Sequence, residues 1–194
     1  MSLQEKYRGF VPEDLTPWHM WDQRFQRKDT FASILKPDDI PADLVPTKVT
    51  GDGNCLFNSA SINLVGNEDL SVILRLLTAA ELYLHANFYA NHPRYNQPDM
   101  TMSEASKLMV SLSVDISNGR DRLVALRQQA MSTCKNKQWA GLVEMMALST
   151  VTRNTVYSVY PNASPAMRPL FHGLIEPRIA QDASCSSICY IMWS

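Results

Sequence analysis

The sequence predicts an α+β domain in which helices flank a small central β-sheet. Three observations carry that expectation. Apolar residues recur with helical period from Cys55 to Thr150, the pattern shortens to strand-sized runs after Thr155, and hydrophobic residues make up 45% of 194, enough for one packed core. Charged residues are 19%, which excludes disorder over most of the chain. Lys and Arg number 18 against 19 Asp and Glu, so the net charge is -1 and nucleic acid is not the expected partner, since reading phosphates takes a strongly basic face. No apolar run approaches the ~20 residues that span a bilayer. Met1–Lys6 lacks the apolar centre of a secretory signal. The four cysteines do not make a disulfide framework, so a reducing compartment, cytoplasm or nucleus, is expected. Cys185-x3-Cys189 has no partner pair and no nearby histidine, so these read as buried thiols, and neither a metal nor a cofactor is expected.

Residues 1–44 read as an extension and a Pro-containing linker, and residues 45–194 as the domain. Thr16-Pro17 is a good helix start, and Trp18, Trp21 and Phe25 share one helical face, suited to docking on the domain or on a partner. Pro37, Pro41 and Pro46 punctuate a stretch expected to be extended. Val45–Thr50 is a short β-branched lead-in to the turn Gly51-Asp52-Gly53-Asn54. Leu56, Ala60 and Leu64 then recur every four residues, a helix that Gly66-Asn67 ends. Leu70, Ile73, Leu74, Leu77 and Leu84 make the face of a second helix, broken at Asn91-His92-Pro93. Thr101-Met102-Ser103-Glu104 fits a capping box opening another helix to about Val114. Residues 120–131 read as helix, and Trp139, Leu142, Val143 and Met146 place an apolar stripe on a helix over 137–150. Thr155–Tyr160, Leu170–Ile175 and Ser187–Trp193 read as strands. The last is apolar on both parities, which predicts a central strand covered on both faces.

The chemistry concentrates at Cys55. A cysteine directly after a glycine turn and at the start of a helix lies in the field of first-turn N–H groups and the helix dipole, both of which favour a thiolate. The same turn aims backbone N–H groups where an oxyanion would form, and its glycines let a substrate backbone approach. Spacing alone leaves a buried structural thiol as the alternative.

Gly51-Asp52-Gly53-Asn54-Cys55-Leu56-Phe57 resembles the nucleophile motif of the ovarian-tumour (OTU) family of cysteine proteases, most of which are deubiquitinases. Trp139-Ala140-Gly141-Leu142-Val143-Glu144-Met145-Met146-Ala147-Leu148-Ser149 is similar to the family's Trp-x-Gly-x-x-Glu-x-x-Ala-Leu helix, and Ile188–Trp193 to the strand before its catalytic histidine. The resemblance runs from Val45 to Ser194, and in detail is to a divergent branch found in vertnin-like and transposon-associated proteins. It implies a papain-like fold, Cys55 as nucleophile, and Asp52 and Asn54 in the oxyanion turn, with the N–H groups of Asp52, Asn54 and Cys55 as candidates for the hole. It implies structural roles for Trp139 and Glu144. The implied partner is ubiquitin or a ubiquitinated protein, and the implied reaction is thiol-dependent hydrolysis of its (iso)peptide bond.

Such chemistry needs an imidazole to take the thiol proton. In the family it lies beyond the last strand, and His19, His85, His92 and His172 do not occupy that position. His172, on the strand expected over 170–175, stands one strand early. Two explanations fit: the protein continues past Ser194 with a further strand and the histidine, which is the expectation adopted, or the chain kept the fold and lost the base, acting as an inactive ubiquitin- or protein-binding module. A DNA-associated role rests on the vertnin-like resemblance alone and draws no support from the charge.

Overall fold

The computed structural model describes residues 27–93, 119–162, 167–179 and 188–193. The helices expected over 16–25 and 101–114 lie outside the described residues, as does Cys185.

The first described element was not anticipated. Asp29 caps a helix α1 (Thr30–Leu35), its carboxylate accepting the Ala32 N–H at 2.9 Å. Lys36 turns extended ahead of Pro37 and ends it. The chain then loops back: Lys36 Nζ donates to the carbonyls of Pro41, Ala42 and Leu44, and Lys28 bridges Thr47 antiparallel. The β-branched lead-in thus forms a single bridge rather than a strand.

Helix α2 (Cys55–Val65) buries Leu56, Phe57, Ala60 and Leu64 and stops at Gly66, which takes φ 78° and returns its N–H to Ile62 O. Helix α3 (Ser71–Leu84) buries Leu74, Ala79 and Leu82, and a short α4 (Ala86–Ala90) follows after His85. Helices α5 (Gly119–Thr133) and α6 (Leu142–Thr152) pack on α3 from two sides. Helix α6 is buried along almost its whole length and begins at residue 142, not 137. Glu144 sets that start by accepting the Gly141 N–H at 2.8 Å, so Trp139 stands outside the helix.

The sheet has the order β2-β1-β3, built from β1 (Thr155–Val159), β2 (Gly173–Ile175) and β3 (Ile188–Met192). Strand β1 runs antiparallel to β2 and parallel to β3. The register opposes Val156 to Ile175 and Cys189, all buried toward the helices, and stacks Tyr157 on Tyr190 with ring centroids 5.4 Å apart on the other face. Two expectations are corrected. The middle of the described sheet is β1, not the last strand; Cys189 and Ile191 of β3 are buried while Ile188 is exposed, so its two parities are not equally covered. The segment expected as strand over 170–175 opens as a helical turn, α7 (Arg168–Phe171), because Pro169 fits the first helical turn, and His172 caps that turn instead of lying in a strand. Among the described residues, no helix is long and apolar enough to cross a membrane.

Candidate active site

Three stretches distant in sequence meet at the head of α2. The first is the turn itself. Gly53 takes φ +87°, and a Cβ placed there would stand 2.1 Å from Lys137 O. Glycine is therefore required for shape and for close approach alike. Asp52 closes the turn: its Oδ1 accepts the Asn54 N–H at 3.0 Å and its Oδ2 accepts the Asn54 side-chain amide at 2.8 Å. The Asn58 side-chain amide, one turn into the helix, donates to Thr50 O at 3.0 Å and to Asp52 Oδ1 at 3.4 Å. These donors, the Asn54 backbone N–H above all, hold the Asp52 carboxyl below its ordinary value.

The second stretch is Arg75 on α3, which sequence reasoning did not single out. It is 2% exposed. Its Nε donates to Asn54 Oδ1 at 3.0 Å, one Nη to Thr133 O at 3.0 Å, and the other Nη to both Gly53 O and Gln138 O at 2.8 Å. Its guanidinium lies 4.5 Å from the centre of the Phe57 ring. Burial pulls its pKa down from the usual arginine value, against the nearby charges of Glu144 and Asp52. The signal was a lone arginine among Leu74, Leu77 and Ala79; its partners, mostly carbonyls, leave no trace in sequence.

The third stretch is the α5–α6 loop. Asn136 Oδ1 accepts the Asn54 side-chain amide at 3.0 Å, and Lys137 N donates to Asn54 Oδ1 at 3.2 Å. Asn54 is thus a buried hub between turn, α3 and loop. Behind it Glu144 accepts from Gln129 and from Thr133 Oγ1.

Cys55 opens α2 and is partly exposed. Its N–H and that of Leu56 belong to the first turn, where the helix supplies no acceptor. One expectation changes here: the Asn54 N–H points into the turn and is taken by Asp52, and the Asp52 N–H is drawn to the same carboxylate, which leaves the amide of Cys55 as the backbone candidate for an oxyanion. The three described histidines are engaged elsewhere. His85 stands 3.6 Å from Glu81, and His92 packs edge-on against Phe88. His172 accepts the Tyr160 N–H at Nδ1 (3.2 Å) and meets Asp39 Oδ2 at Nε2 (3.0 Å). Cys189 is buried in the sheet, which pushes its thiol up to about 12. Among the described residues no three His, Cys, Asp or Glu side chains gather as a metal site.

This fold is that of an OTU domain, helices around a small sheet with a cysteine at the head of a buried helix. The chain belongs to the vertnin OTU domain family, whose sequence pattern matches residues 46–194. It is 30% identical to vertnin of Danio rerio over 172 residues and 27% identical to vertnin of Bos taurus over 181. These alignments take in 88% and 86% of the chain and 25% of each relative, so the chain spans about a quarter of the length of the curated relatives it matches. Among solved structures it is similar to the OTUD1 OTU domain, with 15% identity, TM-score 0.45 and coverage of 75% of this chain and 76% of that one. It is also similar to the viral OTU protease of Farallon virus, with 12% identity, TM-score 0.42 and coverage of 75% and 76%.

Proposed function

We propose that this chain is the thiol-bearing unit of a cysteine hydrolase acting on ubiquitin (iso)peptide bonds, with residues 45–194 as the unit and 1–44 as its extension. The supporting observation is the clamp of Arg75 on Gly53 O and Asn54, which fixes the turn and delivers a partly exposed Cys55 at the start of α2. In this reading Cys55 Sγ attacks the carbonyl carbon of the terminal glycine of ubiquitin. The oxyanion is held by the Cys55 amide at the head of α2. The lysine ε-amine leaves with a proton, a thioester remains, and water releases it. Asp52 and Asn54 shape the turn. The imidazole that moves the proton comes from outside the described residues. Free thiols at Cys55, Cys134 and Cys189 accord with a reducing compartment, cytoplasm or nucleus.

A second reading, an OTU domain that holds ubiquitin or another protein without cleaving it, is favoured by the engagement of His85, His92 and His172 away from Cys55. A ubiquitin probe carrying a C-terminal electrophile separates the two. The hydrolase reading expects labelling of Cys55 in the chain extended past Ser194, abolished by Cys55→Ala. Ubiquitin binding with no labelling and no turnover establishes the second reading instead.

A further inference from the structure

Helix α3 turns an apolar face to water. Its two charged residues, Arg75 and Glu81, point inward and are buried. The exposed positions are Val72, Leu76, Tyr83 and Leu84, with Ala80 half-buried among them. A surface helix ordinarily keeps its charges outside and its apolar stripe inside, so α3 carries a second stripe that its own fold leaves uncovered. Helix α5 widens it. Val124 and Met131 are exposed, and with Tyr83 and Arg127 they line an open groove between the two helices. Contiguous apolar surface of this kind marks a docking face.

The charges around the face name its occupant. Helices α3 and α5 run antiparallel: Arg75, near the start of α3, bonds the carbonyl of Thr133 at the end of α5, and Arg127 lies 5.8 Å from the centre of the Tyr83 ring near the end of α3. Exposed Asp69 therefore stands ahead of one end of the stripe and Arg127 beside the other. We propose that this face pairs two copies of the chain about a two-fold axis across the middle of α3. That operation sets the two α3 helices antiparallel, each in the groove of the other copy. Leu76 meets the partner's Ala80, whose small side chain lets the helices approach, and Val72 meets the partner's Leu84. Asp69 is carried to the end of the stripe where the partner's Arg127 lies, and the symmetry makes the same pair twice. Lys135, which lines the groove at the end nearer Asp69, comes to the C-terminus of the other α3, where the helix dipole favours a cation. The face is thus complementary to itself in apolar surface and in charge.

The face is one helix long and two helices wide, at the small end of stable interfaces, so the dissociation constant should be micromolar. Sedimentation equilibrium of the chain from about 1 to about 200 µM brackets that value and should show a reversible monomer–dimer equilibrium. Leu76→Glu should weaken the dimer by roughly tenfold or more. Asp69→Arg and Arg127→Asp should each weaken it by roughly fivefold, and the chain carrying both should regain most of the lost affinity, because the exchanged charges meet again across the axis. Circular dichroism shows that each variant keeps its helices. A monomer at every concentration overturns the proposal and leaves the face to a different partner. A dimer indifferent to Leu76→Glu overturns it by placing the contact elsewhere, and a double reversal no better than the single ones overturns the two-fold arrangement. Labelling of Cys55 by the ubiquitin electrophile is read separately, so the hydrolase reading and the pairing of copies stand or fall independently.

Discussion

Gly53 carries two constraints at once, a left-handed φ and a backbone neighbour, Lys137 O, where a Cβ would stand. Gly53→Ala is therefore expected to destabilise the chain by at least ~2 kcal/mol, read as a lower urea midpoint. Gly51 has open space around it, so Gly51→Ala is the control and should be near neutral. Asp52 adds a charge to the same turn. Its carboxyl is held below the ordinary value near 3.8, chiefly by the Asn54 N–H. A depressed carboxyl contributes stability that is complete above the unfolded value and is lost as pH falls through the folded one. The stability gap between the parent and Asp52→Asn should accordingly be full at pH 7 and narrow below about pH 4. Urea titrations at pH 7 and pH 3 check it; a gap of equal size at both would show that Asp52 acts by shape and not by charge.

At the scale of elements, what the sequence made legible was what local chemistry decides. The α2 start at Cys55 and stop at Gly66 follow from glycine turns that flank an apolar stripe, and α5, β1 and β3 stand within a residue or two of their expected places, whereas the helix expected to run unbroken to Asn91 is divided at His85 into α3 and α4. What escaped was set by contacts far along the chain. Trp139 continues the spacing of Leu142, Val143 and Met146, so periodicity alone carries the helix too far. The carboxylate of Glu144 stops it, by reaching back to the Gly141 N–H while Gln129 and Thr133 on α5 hold it in place. The hub at Asn54 was legible as a turn residue, but Arg75 was not legible as its partner. At the other end of the reading, α1 had a local signal, Asp29 ahead of Thr30 and Pro37 behind, that the three prolines obscured. The buried Glu144 gives a direct check. Glu144→Ala strips the acceptor from Gly141, Thr133 and Gln129 together and should cost about 2–4 kcal/mol in chemical denaturation, while Glu144→Gln, which keeps one acceptor oxygen, should cost less.

Across the whole molecule, the segment after the sheet's second strand is tied to the helical layer by a charge pair that no local pattern announces. Glu81 lies buried on α3 and accepts from Arg178 Nε at 2.8 Å and from Tyr89 OH at 2.9 Å, while Arg178 N donates to Thr150 Oγ1 at 2.9 Å. Burial works against the charge on Arg178, but the hydrogen bond and charge of Glu81 outweigh it and raise its pKa. Burial and the same carboxylate push the Tyr89 hydroxyl up. Helix α3, helix α4 and the chain after β2 thus converge on one carboxylate, and Thr150 of α6 accepts from two of its partners. Desolvating such a pair can cancel most of its attraction, whereas removing one member strands the other without a countercharge. Arg178→Met should therefore destabilise by about 3 kcal/mol, because Glu81 is left buried beside the Tyr89 hydroxyl. Glu81→Leu combined with Arg178→Met should cost clearly less than the two single losses added together, since no charge then remains inside and Tyr89 keeps Thr150 Oγ1 at 3.3 Å. A double-mutant cycle by urea denaturation measures the difference. A coupling near zero would mean that water reaches Glu81 and that the segment after β2 is held by Thr150 and the packing of Arg178 on Phe88 instead.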